Sequence, residues 1–183
     1  IGIPLVKDLV AAGHEVAGMT RSAAKADLLR ELGAEPVVCD VYAADELVAA
    51  AAAFRPDAFL HQLTDLPDDA SRIGEFGMAN SRIRREGTRN LIAAARAAGA
   101  SRFVAQSVAW PLPGEGGAAV EEHEQAVLAF GGVVARYGMF YGPGTYHEQD
   151  KPEKPRVQVE DAARRTVALL DAPSGIVVIT DDE

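Results

Sequence analysis

The side chains able to do chemistry are few, and most are poorly spaced for it. His14, His61, His123 and His147 share no metal-ligand spacing, and Glu121, Glu122, His123 and Glu124 occupy adjacent positions that fan out around a helix instead of converging. That run reads as a solvated acidic face, and no metal is expected. Ser107 lacks the flanking glycines of a G-x-S-x-G nucleophile elbow, which disfavours hydrolase chemistry through it. Cys39, the one cysteine, ends an apolar run and reads as a small buried thiol. Better placed are Thr20, Arg21 and Ser22, a cation between two hydroxyls just after a short apolar stretch, a set suited to a phosphate ester.

Such groups act only where the backbone holds them, and the hydropathy pattern supplies the frame. A helix is expected over 3–12, with Leu5, Val6, Leu9 and Val10 on one stripe, Pro4 tolerated in its first turn and Gly13 as its stop. A strand over 15–20 leads into a helix that Ser22 can cap, which carries Ala26, Leu29 and Leu32 inward until Gly33 ends it. Further strands are expected over 36–39, 58–63, 102–107, 133–137 and 176–180, with helices over 45–54, 82–98, 119–130 and 159–170. This alternation specifies an α/β fold: a doubly wound, mostly parallel sheet with helices on both faces, whose ligands bind beyond the carboxyl ends of the strands. The 183 residues suit one domain, and the only low-propensity stretch is 149–155, polar and carrying two prolines.

Composition narrows the partners. Eighteen lysines and arginines against 27 aspartates and glutamates leave a net charge of −9, which disfavours nucleic acid. The longest apolar run, 47–54, is less than half of the ~20 residues that a membrane helix needs. A soluble, cytoplasmic protein with a small-molecule substrate and no membrane partner is therefore expected.

Four segments carry a resemblance. Residues 33–40 read G-A-E-P-V-V-C-D, 85–96 R-E-G-T-R-N-L-I-A-A-A-R, 101–107 S-R-F-V-A-Q-S and 136–144 R-Y-G-M-F-Y-G-P-G. In this order and spacing they resemble the NAD-dependent epimerase/dehydratase family, the extended and atypical branches of the short-chain dehydrogenases. The resemblance implies a Rossmann-like, NAD(P)-binding domain spanning the whole chain. In that family a first strand and a G-x-x-G-x-x-G loop precede the first helix, and Ile1 and Gly2 resemble the end of that loop. It therefore implies an N-terminally truncated domain, with the first strand and most of the glycine loop missing and two strands left with unpaired edges.

The same resemblance distributes the site. Gly2 would approach a cofactor phosphate, or merely allow close helix packing. Thr20, Arg21 and Ser22 stand where NAD-preferring domains carry an acidic residue for the ribose, so NADP is expected over NAD unless Arg21 is simply solvated. Asp40 would meet the adenine edge or cap a helix, and His61 and Gln62, in H-Q-L-T, would line the cofactor groove or belong to the core. Active members use a Ser or Thr after the fifth strand and a Tyr-x-x-x-Lys on the next helix, the tyrosine acting as acid/base. Matched through Glu124, Ala126 and Leu128, the Tyr and Lys places fall near Gly116 and Val120, and neither residue can move a proton. Ser107 lies near the serine position, in competition with Val108 and Ala109. Tyr137 is the candidate substitute acid/base, while Tyr141 is the Y-G-P-G tyrosine, structural or substrate-lining. Trp110 to Pro113 read as a lid or a plain loop.

Only residues 145–156 separate Y-G-P-G from V-Q-V-E-D-A, so the substrate region, about 138–183, is reduced and nucleotide-sugar epimerisation is disfavoured. The resemblance implies an NADP(H)-dependent oxidoreductase or epimerase-like enzyme, acting by hydride transfer on a small carbonyl or hydroxyl substrate. A non-catalytic NADP(H)-binding regulator is the alternative, and another nucleotide user such as a methyl or glycosyl transferase the third. Pairing of relatives through the helices matching 82–98 and 119–130 implies a homodimer.

Overall fold

The computed structural model describes residues 1–181. Its helices are α1 Gly2–Ala11, α2 Ala26–Glu31, α3 Ala44–Phe54, α4 Gly77–Arg82, α5 Thr88–Ala98, α6 Gly114–Phe130 and α7 Val159–Val167. The strands are β1 Ala17–Thr20, β2 Glu35–Val38, β3 Ala58–His61, β4 Arg102–Val108, β5 Val133–Tyr137, β6 Met139–Tyr141, β7 Arg156–Gln158 and β8 Gly175–Ile179. Every pairing is parallel: β3-β4-β5-β8 form one sheet, β1-β2 a second and β6-β7 a third. This is the expected α/β architecture. Among the described residues no helix is long and apolar enough to cross a membrane.

Burial on both faces explains why the central strands read as continuous apolar runs. In β4, Phe103, Val104 and Ala105 are at most 1 % exposed. Alternation then sorts their side chains. Phe103 and Ala105 join Leu47, Leu91, Ala95 and Val127 in a core under α3, α5 and α6, while Val104 joins Ala135, Tyr137 and Ala162 beneath α7. Leu5 and Leu9 hold α1 against Ala163 of α7 on that second face.

Three local expectations change. The helix expected over 82–98 is broken into α4, a π turn over Ile83–Gly87, and α5. Gly87 sits in the π turn, where an added Cβ would lie 3.0 Å from the Ile83 side chain and 3.5 Å from Val41. Ser22 does not cap: its side chain accepts no helical N–H, and a short 3₁₀ turn intervenes before α2. The β6-β7 pair was not anticipated, because three-residue strands are too short to show alternation. Gly138 makes it possible, since a Cβ there would lie 2.6 Å from the Arg156 backbone.

The sheet is interrupted between β1 and β3. Their facing edges are not hydrogen-bonded to each other, and a cavity of about 660 Å³ opens between them, lined by Leu5, Leu9, Gly18, Leu29, Leu60 and Leu91. A second cavity of about 680 Å³ lies at the first turn of α1, between Gly2 and the Pro143-Gly144 corner, with Lys7 and Arg164 in its wall.

Candidate cofactor and substrate site

The carboxyl ends of β1, β2 and β3 gather the groups expected to face a nucleotide. Gly2 opens α1, and a Cβ there would meet nothing within 4 Å, so the backbone amides of the first turn are approachable. Arg21 Nη2 donates to Asp65 Oδ1 at 2.7 Å, which holds the guanidinium above its usual pKa. Tyr42 Oη donates to Asp65 Oδ2 at 3.3 Å, and Arg82 stacks over the Tyr42 ring at 3.9 Å. Asp40 Oδ1 accepts from the Tyr42 amide at 2.9 Å in a local turn, and Thr20 Oγ1 accepts from the Ser22 amide at 3.1 Å. Of the nucleotide candidates, Arg21 is thus drawn toward the β3 end by Asp65, a partner the sequence did not suggest.

His61 lines the β1–β3 cavity together with Gln62, with its ring buried. It is 2 % exposed and belongs to a directed hydrogen-bond chain. Geometry fixes the directions. His123 Nε2 lies 2.9 Å from the Gln106 carbonyl and must donate, so His123 Nδ1 accepts from Thr88 Oγ1 at 2.7 Å. Thr88 Oγ1 in turn accepts from His61 Nε2 at 3.1 Å, leaving His61 Nδ1 to accept from the Leu63 amide at 3.2 Å. Every ring nitrogen is used and both rings are neutral. Burial first, then nearby cationic charge, depresses both, His123 to about 4 despite its partners. Neither histidine is available as a proton shuttle.

Gln62 lies on the opposite face. Its Nε2 donates to Tyr137 Oη at 3.4 Å, and its Oε1 is buried without a donor. Among the described residues this orphan acceptor, beside the β1–β3 cavity, is one of two sealed polar side-chain atoms with no partner. A site that takes a polar ligand fits such an atom. Together with the open first turn of α1 and the cation at Arg21, it fits a dinucleotide.

The two catalytic candidates do not meet. Ser107 and Tyr137 sit on adjacent strands, but Ser107 faces α6 and Tyr137 faces α7. Ser107 Oγ donates to Glu124 Oε1 at 2.6 Å, while Arg136 Nε and Nη2 donate to Oε1 and Oε2 of the same carboxylate at 2.8 and 2.5 Å. Burial alone would raise the Glu124 pKa, but the bonds from Arg136 and Ser107 outweigh it and hold the carboxyl below its usual range. A carboxylate so held is a poor base, so Ser107 is positioned without being activated. Tyr137 is 2 % exposed, and its hydroxyl lies 2.6 Å from Thr166 Oγ1. Burial raises its pKa. In contrast to the exposed acid/base expected of it, the phenol is buried between Thr166 and the cavity-lining Gln62.

Helix α6 begins earlier than expected and carries Gly116 and Val120 at the dyad positions, so nothing on it replaces the Tyr-x-x-x-Lys pair. The acidic run on this helix also needs correction. Glu121 and Glu122 are exposed, but His123 and Glu124 are only 1 % and 5 % exposed and point into the sheet. A signal existed: Ala119, His123 and Val127 recur every four residues on the buried stripe. Sequence reasoning also missed Arg84, on the π turn, which is 5 % exposed and makes no hydrogen bond or ion pair among the described residues.

Comparison with known proteins agrees with the fold. A family model described as NAD(P)H-binding matches residues 1–129. A Streptomyces protein named 3-diazoavenalumate denitrifying reductase is 34 % identical over 226 aligned positions, covering all of this chain and 73 % of that protein. Those 226 positions exceed the chain's own 183 residues, so the relative carries extra residues inside the aligned region. The structure is similar to UDP-glucose 4-epimerase of Thermus thermophilus in complex with NAD, at a TM-score of 0.78 and 21 % identity over 100 % of this chain and 75 % of that one. It is also similar to the Thermotoga maritima UDP-glucose 4-epimerase solved with UDP-glucose, at a TM-score of 0.79 and 16 % identity over 98 % and 73 % of the two chains. Likeness at such identities speaks for the shared fold.

Proposed function

Because the chain belongs to the NAD(P)H-binding family, we propose that it is a nicotinamide-dependent reductase, NADPH-preferring, whose acceptor takes hydride without needing a proton from the protein. The observation that carries this reading is the missing proton relay: Gly116 and Val120 stand at the dyad positions, Ser107 is tied to an acid-shifted Glu124, and Tyr137 is sealed in the core. Reduction of a ketone needs a proton for the developing alkoxide, and among the described residues Ser107 and Tyr137 are not poised to give one. A diazo carbon in its arenediazonium form, Ar–N₂⁺, has no such need. When bound, NADPH would supply hydride to that carbon, so that Ar–N₂⁺ and NADPH give Ar–H, N₂, which takes the C–N electron pair, and NADP⁺, with no proton in the balance. The relative's printed name, a denitrifying reductase of a diazo compound, supports this class of acceptor. The reading as a non-catalytic regulator is not favoured beside a reductase at that identity.

The chain's residues then hold and shield. Gly2 leaves room for phosphate at α1, Arg21 and Ser22 favour a 2′-phosphate over a bare ribose hydroxyl, and the locked polar side chains of β4, β5 and α6 fix the floor of the acceptor site. The test is NADPH consumption by the chain mixed separately with a diazo acid and with a set of aldehydes and ketones. Turnover confined to the diazo acid is expected. Equal or faster carbonyl reduction would overturn the reading, as would tighter binding of NADH than of NADPH for the preference.

A further inference from the structure

The most unusual charge in the molecule is Arg84. It is 5 % exposed, yet among the described residues its guanidinium, with five N–H donors, has no hydrogen-bond acceptor and no carboxylate within ion-pair distance. Its neighbours on the chain are differently used: Arg82 pairs with Glu86, and Arg85 pairs with Glu115 and Glu122 on α6. The π turn directs these three arginines to different surroundings, and π turns recur where a helix must re-aim a functional side chain.

The surroundings of Arg84 lie at the carboxyl ends of β3 and β4. Thr88, one turn further along the helix, bonds His61 at the end of β3 and His123 on α6, while His123 and Glu124 bond to β4, and the Arg84 charge acts on both histidines. Glu124 is the one carboxylate that acts on it, and it does so from beyond ion-pair distance. Both histidines are neutral with every ring nitrogen committed, and both oxygens of Glu124 are engaged by Arg136. The unpartnered guanidinium nitrogens are not among the fully sealed side-chain atoms, so they keep a narrow contact with solvent. Burial pulls the guanidinium below its usual pKa, yet arginine does not deprotonate in proteins. A buried, permanent cation with no hydrogen-bonded partner among the described residues, at the ligand-binding edge of a parallel sheet, fits an anionic group brought by the ligand.

We propose that Arg84 is the anchor for a substrate carboxylate, making the acceptor a small organic acid held at the ends of β3 and β4. The inference rests on the reductase reading and names a feature of its substrate. The planar guanidinium suits two parallel N–H···O bonds to a carboxylate. A carboxylate bound there would also fix the orientation of the rest of the acid.

Calorimetric titration of the chain with cinnamate, a small planar acid, and with cinnamamide, its neutral counterpart, tests this without requiring turnover. The acid is expected to bind at least about tenfold tighter than the amide. Arg84→Gln should erase that preference, and Arg84→Lys should restore part of it. NADPH affinity, measured alongside, should stay within about twofold in both variants. The thermal midpoint of Arg84→Gln should hold or rise, because the substitution removes a buried unpaired cation. Equal binding of acid and amide by the unaltered chain would overturn the proposal, as would an acid preference that survives Arg84→Gln. A parallel loss of NADPH binding would make the anion a cofactor phosphate, and a lowered midpoint would make Arg84 a structural residue. If the titration succeeds while no diazo acid is turned over, the reductase reading fails and the carboxylate site stands.

Discussion

Around β4, β5 and α6, buried polar side chains are locked to one another, whereas across the seam between β1 and β3 they are not. On the first side, Glu124 takes three hydrogen bonds from Ser107 and Arg136, and Thr88 links His61 to His123. On the other, two strand edges face each other over an apolar cavity, and Arg21 and Asp65 form an ion pair in which the arginine side chain is 62 % exposed. An exposed pair of this kind contributes about 0–1 kcal/mol, while breaking a buried one costs several times more. The rigid side can hold an acceptor in one orientation. The seam side, with its open cavity and exchangeable ion pair, suits a ligand that brings its own phosphates.

The largest contrast should come from pH. Both buried histidines are neutral in the folded chain, with His123 depressed to about 4, whereas unfolded histidine titrates near 6.5. Their contribution is therefore complete above about pH 6.5 and is lost as pH falls toward 4, because only the unfolded chain takes up protons in that window. Each histidine can shift the folding equilibrium by up to about tenfold per pH unit there. Denaturant unfolding at about pH 7 and pH 5 measures the loss, and a flat profile would remove the locked histidine chain from the account. Next in size, Glu124→Ala should lower unfolding free energy by about 2 kcal/mol, since it leaves the buried Ser107 and the 38 % exposed Arg136 without their acceptor, against less than about 1 kcal/mol for Arg21→Ala. Comparable losses in the two variants would erase the contrast. Smallest is Asp65→Asn, which releases Arg21: NADPH should bind about threefold tighter with NADH little changed, as read by fluorescence titration. An unchanged ratio would mean that Arg21 does not meet the 2′-phosphate.

The fold was legible because its signals are periodic. Helices with apolar stripes and doubly buried strands survive as patterns over ten residues, and β5 falls on its expected bounds, Val133–Tyr137. The site was less legible because its decisive features depend on facing. Four adjacent polar residues on α6 look alike in sequence, yet a turn of about 100° per residue puts His123 and Glu124 inside and Glu121 and Glu122 outside. Arg84 is harder still, since three arginines within four positions acquire different roles only through the π turn, which no hydropathy pattern marks. Tyr137 was read from its place at a strand end, but side-chain alternation turns it toward Thr166 beneath α7. Nothing in the sequence linked Arg21 to Asp65, 44 residues away.

The central claim is that hydride moves from cofactor to acceptor with no proton from this chain. NADPH deuterated at the transferable nicotinamide position, mixed with the chain and a diazo acid in ordinary water, tests it most directly. The account predicts deuterium on the carbon that lost nitrogen, one N₂ per NADPH consumed, and turnover within about threefold of unaltered in Ser107→Ala and Tyr137→Phe. Hydrogen from solvent at that carbon, or loss of turnover in either variant, would contradict it.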